Sequence, residues 1–199
     1  DLNTKIKRAY MVTMANEKIW NAVKKEIKKN EYQLTLGGDH SIAIGSIAGL
    51  LSRHPDAGII WIDAHADINT VNTTESGNLH GCPVSFLANM DRQDWPESFK
   101  WIPENLLKTN KIAYIGLRDV DEGEKKILKE NNIKAFSMYH VDRFGINSVV
   151  EQALEHVSQG NKDCPIMISY DVDAIDPEAS VKCTGTKVDY GRNNREALF

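Results

Sequence analysis

Residues Ala57 to Ile62 form an unbroken apolar run that ends abruptly in Asp63-Ala64-His65-Ala66-Asp67, and this junction constrains the fold more than any other feature. A short run without polar alternation suits a strand covered on both faces, as in parallel sheets packed between helices. The acidic and imidazole groups that follow then lie beyond the strand's carboxyl end, where open α/β sheets bind ligands. The flanking pattern agrees. Asn16 to Asn30 reads as a helix with Ile19, Trp20, Val23 and Ile27 on one face and lysines opposite. Tyr32 to Leu36 reads as a short strand broken by Gly37-Gly38, and Ser41 to about Arg53 as a buried helix. Lys111 to Leu117, Lys134 to Met138 and Pro165 to Tyr170 read as further strands. Glu122 to Asn132 and Asn147 to Gln159 read as the helices between them. Strand alternating with helix predicts an α/β fold of three layers, a mostly parallel β-sheet flanked by helices, in a single domain over residues 1–199.

Composition excludes several functions. The formal charge of −4 gives no overall attraction to nucleic acid or anionic lipid. No apolar run approaches the ~18 residues of a membrane span. The N-terminus, Asp1-Leu2-Asn3-Thr4, lacks the zones of a secretory signal. Three cysteines, Cys82, Cys164 and Cys183, without CxxC spacing, speak against a disulfide framework or a zinc knuckle. Reduced thiols in a cytoplasmic protein are the plain expectation.

Three strands are expected to end in metal-ligand residue types: Gly37-Gly38-Asp39-His40, Asp63-Ala64-His65-Ala66-Asp67, and Asp171-Val172-Asp173. Alternate residues of an extended chain share a face, so Asp63, His65 and Asp67 can converge, as can Asp171 and Asp173. Carboxylates gathered at one sheet edge repel one another and raise each other's pKa values. Two divalent cations would remove that strain. Carboxylate and imidazole donors without thiolate favour Mn²⁺-like ions over structural zinc. Two ions about 3.5–4 Å apart can share a water and lower its pKa from about 15.7 towards neutrality. The chemistry is then hydrolysis at carbon or at phosphorus, and spacing alone does not choose between them.

The motifs GGDHS, DAHAD, SGNLHG, YIGLRDVD, SYDVDAIDP and TGT occur in this order, and from about Glu31 to Phe199 the chain resembles the arginases of the ureohydrolase superfamily. That resemblance implies an arginase-like fold, incomplete at the termini, and a binuclear manganese hydrolase converting L-arginine to L-ornithine and urea. It implies His40, Asp63, Asp67 and Asp171 as ligands of one Mn²⁺, and Asp63, His65, Asp171 and Asp173 as ligands of the other. His80 matches the proton-shuttling histidine, and Asp67 is grouped with it as a catalytic position. His65, Asn69, Ser76, Asn78 and Asp121 match positions that hold the amino-acid end of the substrate, and Thr186 one near the guanidinium. His54, His140 and His156 match no functional position. The resemblance further implies a homotrimer in the cytoplasm with a small-molecule substrate and no nucleic-acid partner.

The chain also departs from the pattern. Glu178-Ala179-Ser180-Val181-Lys182-Cys183 makes the stretch before Thr184 one residue longer and lacks the usual proline turn. Lys187 stands where a proline follows TGT, Asp189-Tyr190 replaces a small apolar-glycine stretch, and Glu75 takes the place of a threonine. Without an initiating Met, and ending at Phe199, the sequence reads as a piece of a longer chain, and the resemblance implies that the remainder carries a guanidinium-gripping glutamate. The alternatives are an agmatinase-type ureohydrolase, which shares the metal ligands, a non-catalytic metal-binding relative, and a binuclear phosphoesterase, which the lack of a basic cluster disfavours.

Overall fold

A computed structural model describes residues 5–28 and 31–175. In chain order its elements are α1 (Ala9–Glu26), α2 (Ala43–Arg53), β1 (Gly58–Ile62), α3 (Pro83–Leu87), β2 (Ile112–Leu117), α4 (Glu122–Glu130), β3 (Lys134–Ser137), α5 (Met138–Phe144), α6 (Ile146–Ser158) and β4 (Ile166–Tyr170). The described residues fall into two compact units, one formed by those up to Asp56 with 67–108 and the other by 57–66 with those from Thr109 onward.

In the first unit α1 and α2 lie close together because small residues allow it. A Cβ at Gly49 would stand 2.5 Å from Val23 Cγ1, and one at Gly45 would strike the backbone carbonyl of Asn16. The buried Asn16 side chain bonds across the same contact, its Oδ1 accepting the Gly45 N–H at 2.7 Å. Burying an unpaired amide would cost about 1–3 kcal/mol, so this bond fixes how the two helices meet. Ile6, Ile44, Leu79, Phe86, Trp95, Phe99 and Ile102 complete the core, with Phe86 stacked on Phe99 at 4.4 Å between ring centroids.

The second unit holds a four-stranded sheet in the order β3-β2-β1-β4, every pair parallel. Ile62 pairs with both Ile115 and Tyr170, so the carboxyl ends of β1, β2 and β4 lie side by side. Ile60, Ala113, Ile115 and Phe136 pack against Val149, Ala153 and Val157 of α6. Buried Lys111 donates from Nζ to the Val157 carbonyl at 3.0 Å, satisfying a carbonyl in the last turn of α6. The three-layer α/β expectation holds in outline, as a parallel sheet flanked by helices.

Three local expectations need correction. The first helix begins at Ala9, ahead of Asn16, and ends at Glu26. Tyr32 to Leu36 has no strand assignment, and Tyr32, Leu34 and Leu36 are exposed. The alternation is present, but a strand exists only through hydrogen bonds to a neighbour. The segment after β3 is the separate helix α5, which the sequence reading left unassigned.

That helix carries a pH prediction. His140 sits at its third position, where Nδ1 accepts the Ser137 N–H at 3.0 Å, so the ring must be neutral there. Burial holds His140 below its ordinary value, and the nearby Lys134 charge adds to this. His156 shifts the same way for the same reasons. A depressed imidazole means that the unfolded chain takes up a proton first as pH falls. The contribution of these two groups is therefore complete above about pH 6.5 and declines as pH drops towards their folded-state values. Between pH 7 and about pH 5.5 these two groups should pull the urea midpoint down, against the opposite pull of His65, whose imidazole is held up to about 11. His140→Gln keeps an acceptor but cannot titrate, and should flatten part of that slope. An unchanged slope would remove His140 from the account.

Candidate metal centre

Each strand of the second unit that reaches the shared carboxyl edge delivers polar groups there. β1 runs directly into Asp63, which is 1% exposed, with Oδ1 accepting the His65 N–H at 2.8 Å and Oδ2 accepting the Trp61 indole N–H at 3.0 Å. The carboxylate is thus held from both sides by groups two residues away. β4 runs into Asp171, whose Oδ1 accepts the Asp173 N–H at 3.0 Å as the chain enters a short 3-10 turn, Val172–Ala174. His65 Nδ1 lies 3.1 Å from Asp173 Oδ2 and 3.4 Å from Asp63 Oδ1, while its Nε2 lies 3.6 Å from Asp119 Oδ2.

Asp63, His65 and Asp173 each offer a ligand atom, and these atoms all lie within 4.8 Å of one another. Asp171 stands beside this group rather than in it, close enough for its charge to act on Asp173. Burial raises the Asp173 carboxyl above its usual range; the His65 hydrogen bond opposes this, and the Asp63 and Asp171 charges add to it. Burial pulls the His65 imidazole down, but hydrogen bonds and charges from Asp173 and Asp63 outweigh it and push it up to about 11. One imidazolium therefore sits among several carboxylates, and the group keeps surplus negative charge. A divalent cation displacing that proton fits the donor set, since hard oxygens with imidazole and no thiolate suit Mn²⁺-like ions.

The remaining candidates lie in the first unit. His40 Nδ1 is 3.1 Å from Asp67 Oδ2, both side chains about nine-tenths buried. Asp67 adopts φ 50, a left-handed conformation that Asp tolerates better than most residues, where the chain passes from one unit to the other. His80 is half exposed, with Nδ1 3.4 Å from Asp39 Oδ2. Burial pushes the Asp39 carboxyl up, but hydrogen bonds from Ser41 and the adjacent His80 prevail, and it sits below its usual range.

The substrate candidates are placed less uniformly. Buried Asn69 accepts the Thr73 hydroxyl at 2.9 Å and donates its N–H to the Gly81 carbonyl at 3.0 Å, so it braces the loop carrying His80. The exposed Ser76 hydroxyl accepts the Asn78 N–H at 3.2 Å. Asp121 begins α4 in a reciprocal cap with Glu124, whose Oε2 accepts the Asp121 N–H at 3.1 Å. Thr186 lies outside the described residues. Sequence reading left Asp39, Trp61 and Asp119 without roles. The signal was present: Asp119 precedes Asp121 by two residues just after β2, the same alternation that marked the other candidate-ligand strands.

Comparison with known proteins identifies the family. The Arginase family model matches residues 1–199. The chain belongs to the arginase family. It is 58% identical over 198 residues to an arginase of Saccharomyces cerevisiae, covering 98% of this chain and 59% of that protein. A cold-adapted arginase of Glaciozyma antarctica superposes with a TM-score of 0.78 at 53% identity, over 84% of this chain and 60% of that one. An Entamoeba histolytica arginase solved with L-ornithine gives 0.78 at 31% identity, over 88% and 59% of the two chains. The chain thus spans about three fifths of the length of these family members.

Proposed function

We propose that the protein to which this chain belongs is a manganese-dependent arginase hydrolysing L-arginine to L-ornithine and urea. The observation that carries this reading is the Asp63–His65–Asp173 group, whose ligand atoms lie within 4.8 Å of one another, at the carboxyl edge of an arginase-family sheet. Asp63 and Asp171 would bridge two Mn²⁺ ions, His40 and Asp67 would complete one, and His65 and Asp173 the other. Bound there, the ions would acidify a water for attack on the guanidinium carbon.

The chain's own residues do the rest. Trp61 and the His65 N–H fix the orientation of the Asp63 carboxylate. His80, half exposed and beside Asp39, would in this reading hand a proton to the leaving amine. In this reading Ser76 and Asn78 would offer neutral donors to a substrate carboxylate, with Asn69 bracing their loop, and Asp121 would pair with the α-ammonium. Thr186, outside the described residues, is assigned to the guanidinium end on the family resemblance alone. A homotrimer in the cytoplasm accompanies this reading.

The test is urea release from L-arginine with and without added Mn²⁺, with agmatine in parallel. Arginine turnover that depends on Mn²⁺ is the expected result. Preference for agmatine would move the assignment to the related amine, and ligand-site variants with unchanged turnover would overturn it.

A further inference from the structure

Arg118 belongs to the Gly116-Leu117-Arg118-Asp119 stretch that ends β2, and none of the roles above uses it. Its guanidinium donates to consecutive carbonyls of the turn that carries Asp173. Nη2 reaches Asp173 O at 2.6 Å and Ile175 O at 3.5 Å, and Nη1 reaches Ala174 O at 3.1 Å and Gly116 O at 3.5 Å. Its backbone N–H and that of Asp119 both donate to Ala64 O, at 2.9 and 3.0 Å. Ala64 lies between Asp63 and His65, and its own N–H is 3.4 Å from Asp173 Oδ1. A single residue just past β2 thus grips both turns that carry the Asp63–His65–Asp173 group, while supplying no ligand atom itself.

We propose that Arg118 is the positioning residue of this metal site, locking the turn after β4 to the turn after β1 so that Asp173 and His65 keep their mutual geometry. The inference rests on the metal-binding reading above. The physical case lies in the donor geometry. The carbonyls of Asp173, Ala174 and Ile175 end a short helical turn, where their partial negative charge suits a cation. A planar guanidinium presents several donors in a rigid fork and satisfies adjacent carbonyls together. An ammonium group is a single point on a flexible stem and cannot hold them all in one geometry. Freed carbonyls would let the turn rotate and carry Asp173 out of register with His65. Residues that orient ligands from behind typically change metal affinity about 10–100-fold when replaced.

The experiment compares the full chain with Arg118→Lys and Arg118→Gln, each stripped of metal and titrated with Mn²⁺, with bound ion followed by electron paramagnetic resonance. The parent should bind Mn²⁺; if it does not, the metal-site reading fails, and the role of Arg118 falls with it. Given parental binding, both variants should lose affinity about 10–100-fold, with broadened or altered Mn²⁺ spectra, although Arg118→Lys keeps the charge. Thermal unfolding of the metal-free forms controls for folding. Affinity and spectra like the parent's in a folded Arg118→Lys variant would overturn the proposal. So would full rescue by lysine of a defect seen in the glutamine variant.

Discussion

Asp171→Ala is expected to strip nearly all bound manganese, whereas Asp67→Ala should leave about one ion per chain. The difference follows from the proposed bridging role, in which one carboxylate serves both ions. Asp171 also caps its own turn, Oδ1 accepting the Asp173 N–H at 3.0 Å, so alanine removes a hydrogen bond together with a charge. Asp171→Asn separates the two effects, because the amide oxygen still accepts that bond while the negative charge is gone. Metal content after dialysis against Mn²⁺ gives the readout. Loss in the asparagine variant as deep as in alanine would assign the effect to charge. Equal losses for Asp67→Ala and Asp171→Ala would remove the bridge from the account.

The second large effect is kinetic. His80→Ala should leave metal content near the parental level and lower arginine turnover by about 10²–10⁴, the usual contribution of general acid–base help. The side chain is 55% exposed and pairs with Asp39 rather than with the Asp63–His65–Asp173 group, so its removal opens no core cavity. Asp39→Asn should produce a smaller loss in the same direction, since the carboxylate orients the ring without moving the proton itself. Metal released from the His80 variant would place His80 among the ligands and contradict the assignment.

Much of this candidate centre was legible in the sequence because its candidate ligands sit at the ends of strongly apolar strands. Ala57 to Ile62 and Pro165 to Tyr170 announce themselves by hydrophobic runs, and Asp63, His65, Asp171 and Asp173 follow at the alternate spacing of an extended chain. Supporting contacts were not legible in the same way. Arg118 is distant in sequence from both turns it grips, and only the pairing of Ile62 with Ile115 and Tyr170 brings those turns together. Helix α5 escaped notice because its reciprocal cap uses His140 where the familiar pattern has Glu or Gln. Helix α1 starts after Arg8, at φ 54 and without a capping side-chain bond, so nothing in the sequence marks its beginning. Tyr32 to Leu36 shows the converse error, since local alternation cannot supply a partner strand.

The most direct measurement is the equilibrium Mn²⁺ content of correctly folded chain, dialysed against the ion and analysed together with a chain in which both Asp63 and Asp173 are changed to Asn. The account predicts about two ions per chain for the parent and close to none for the double variant. A folded parent that retains almost no manganese, or a double variant that retains as much as the parent, would contradict it.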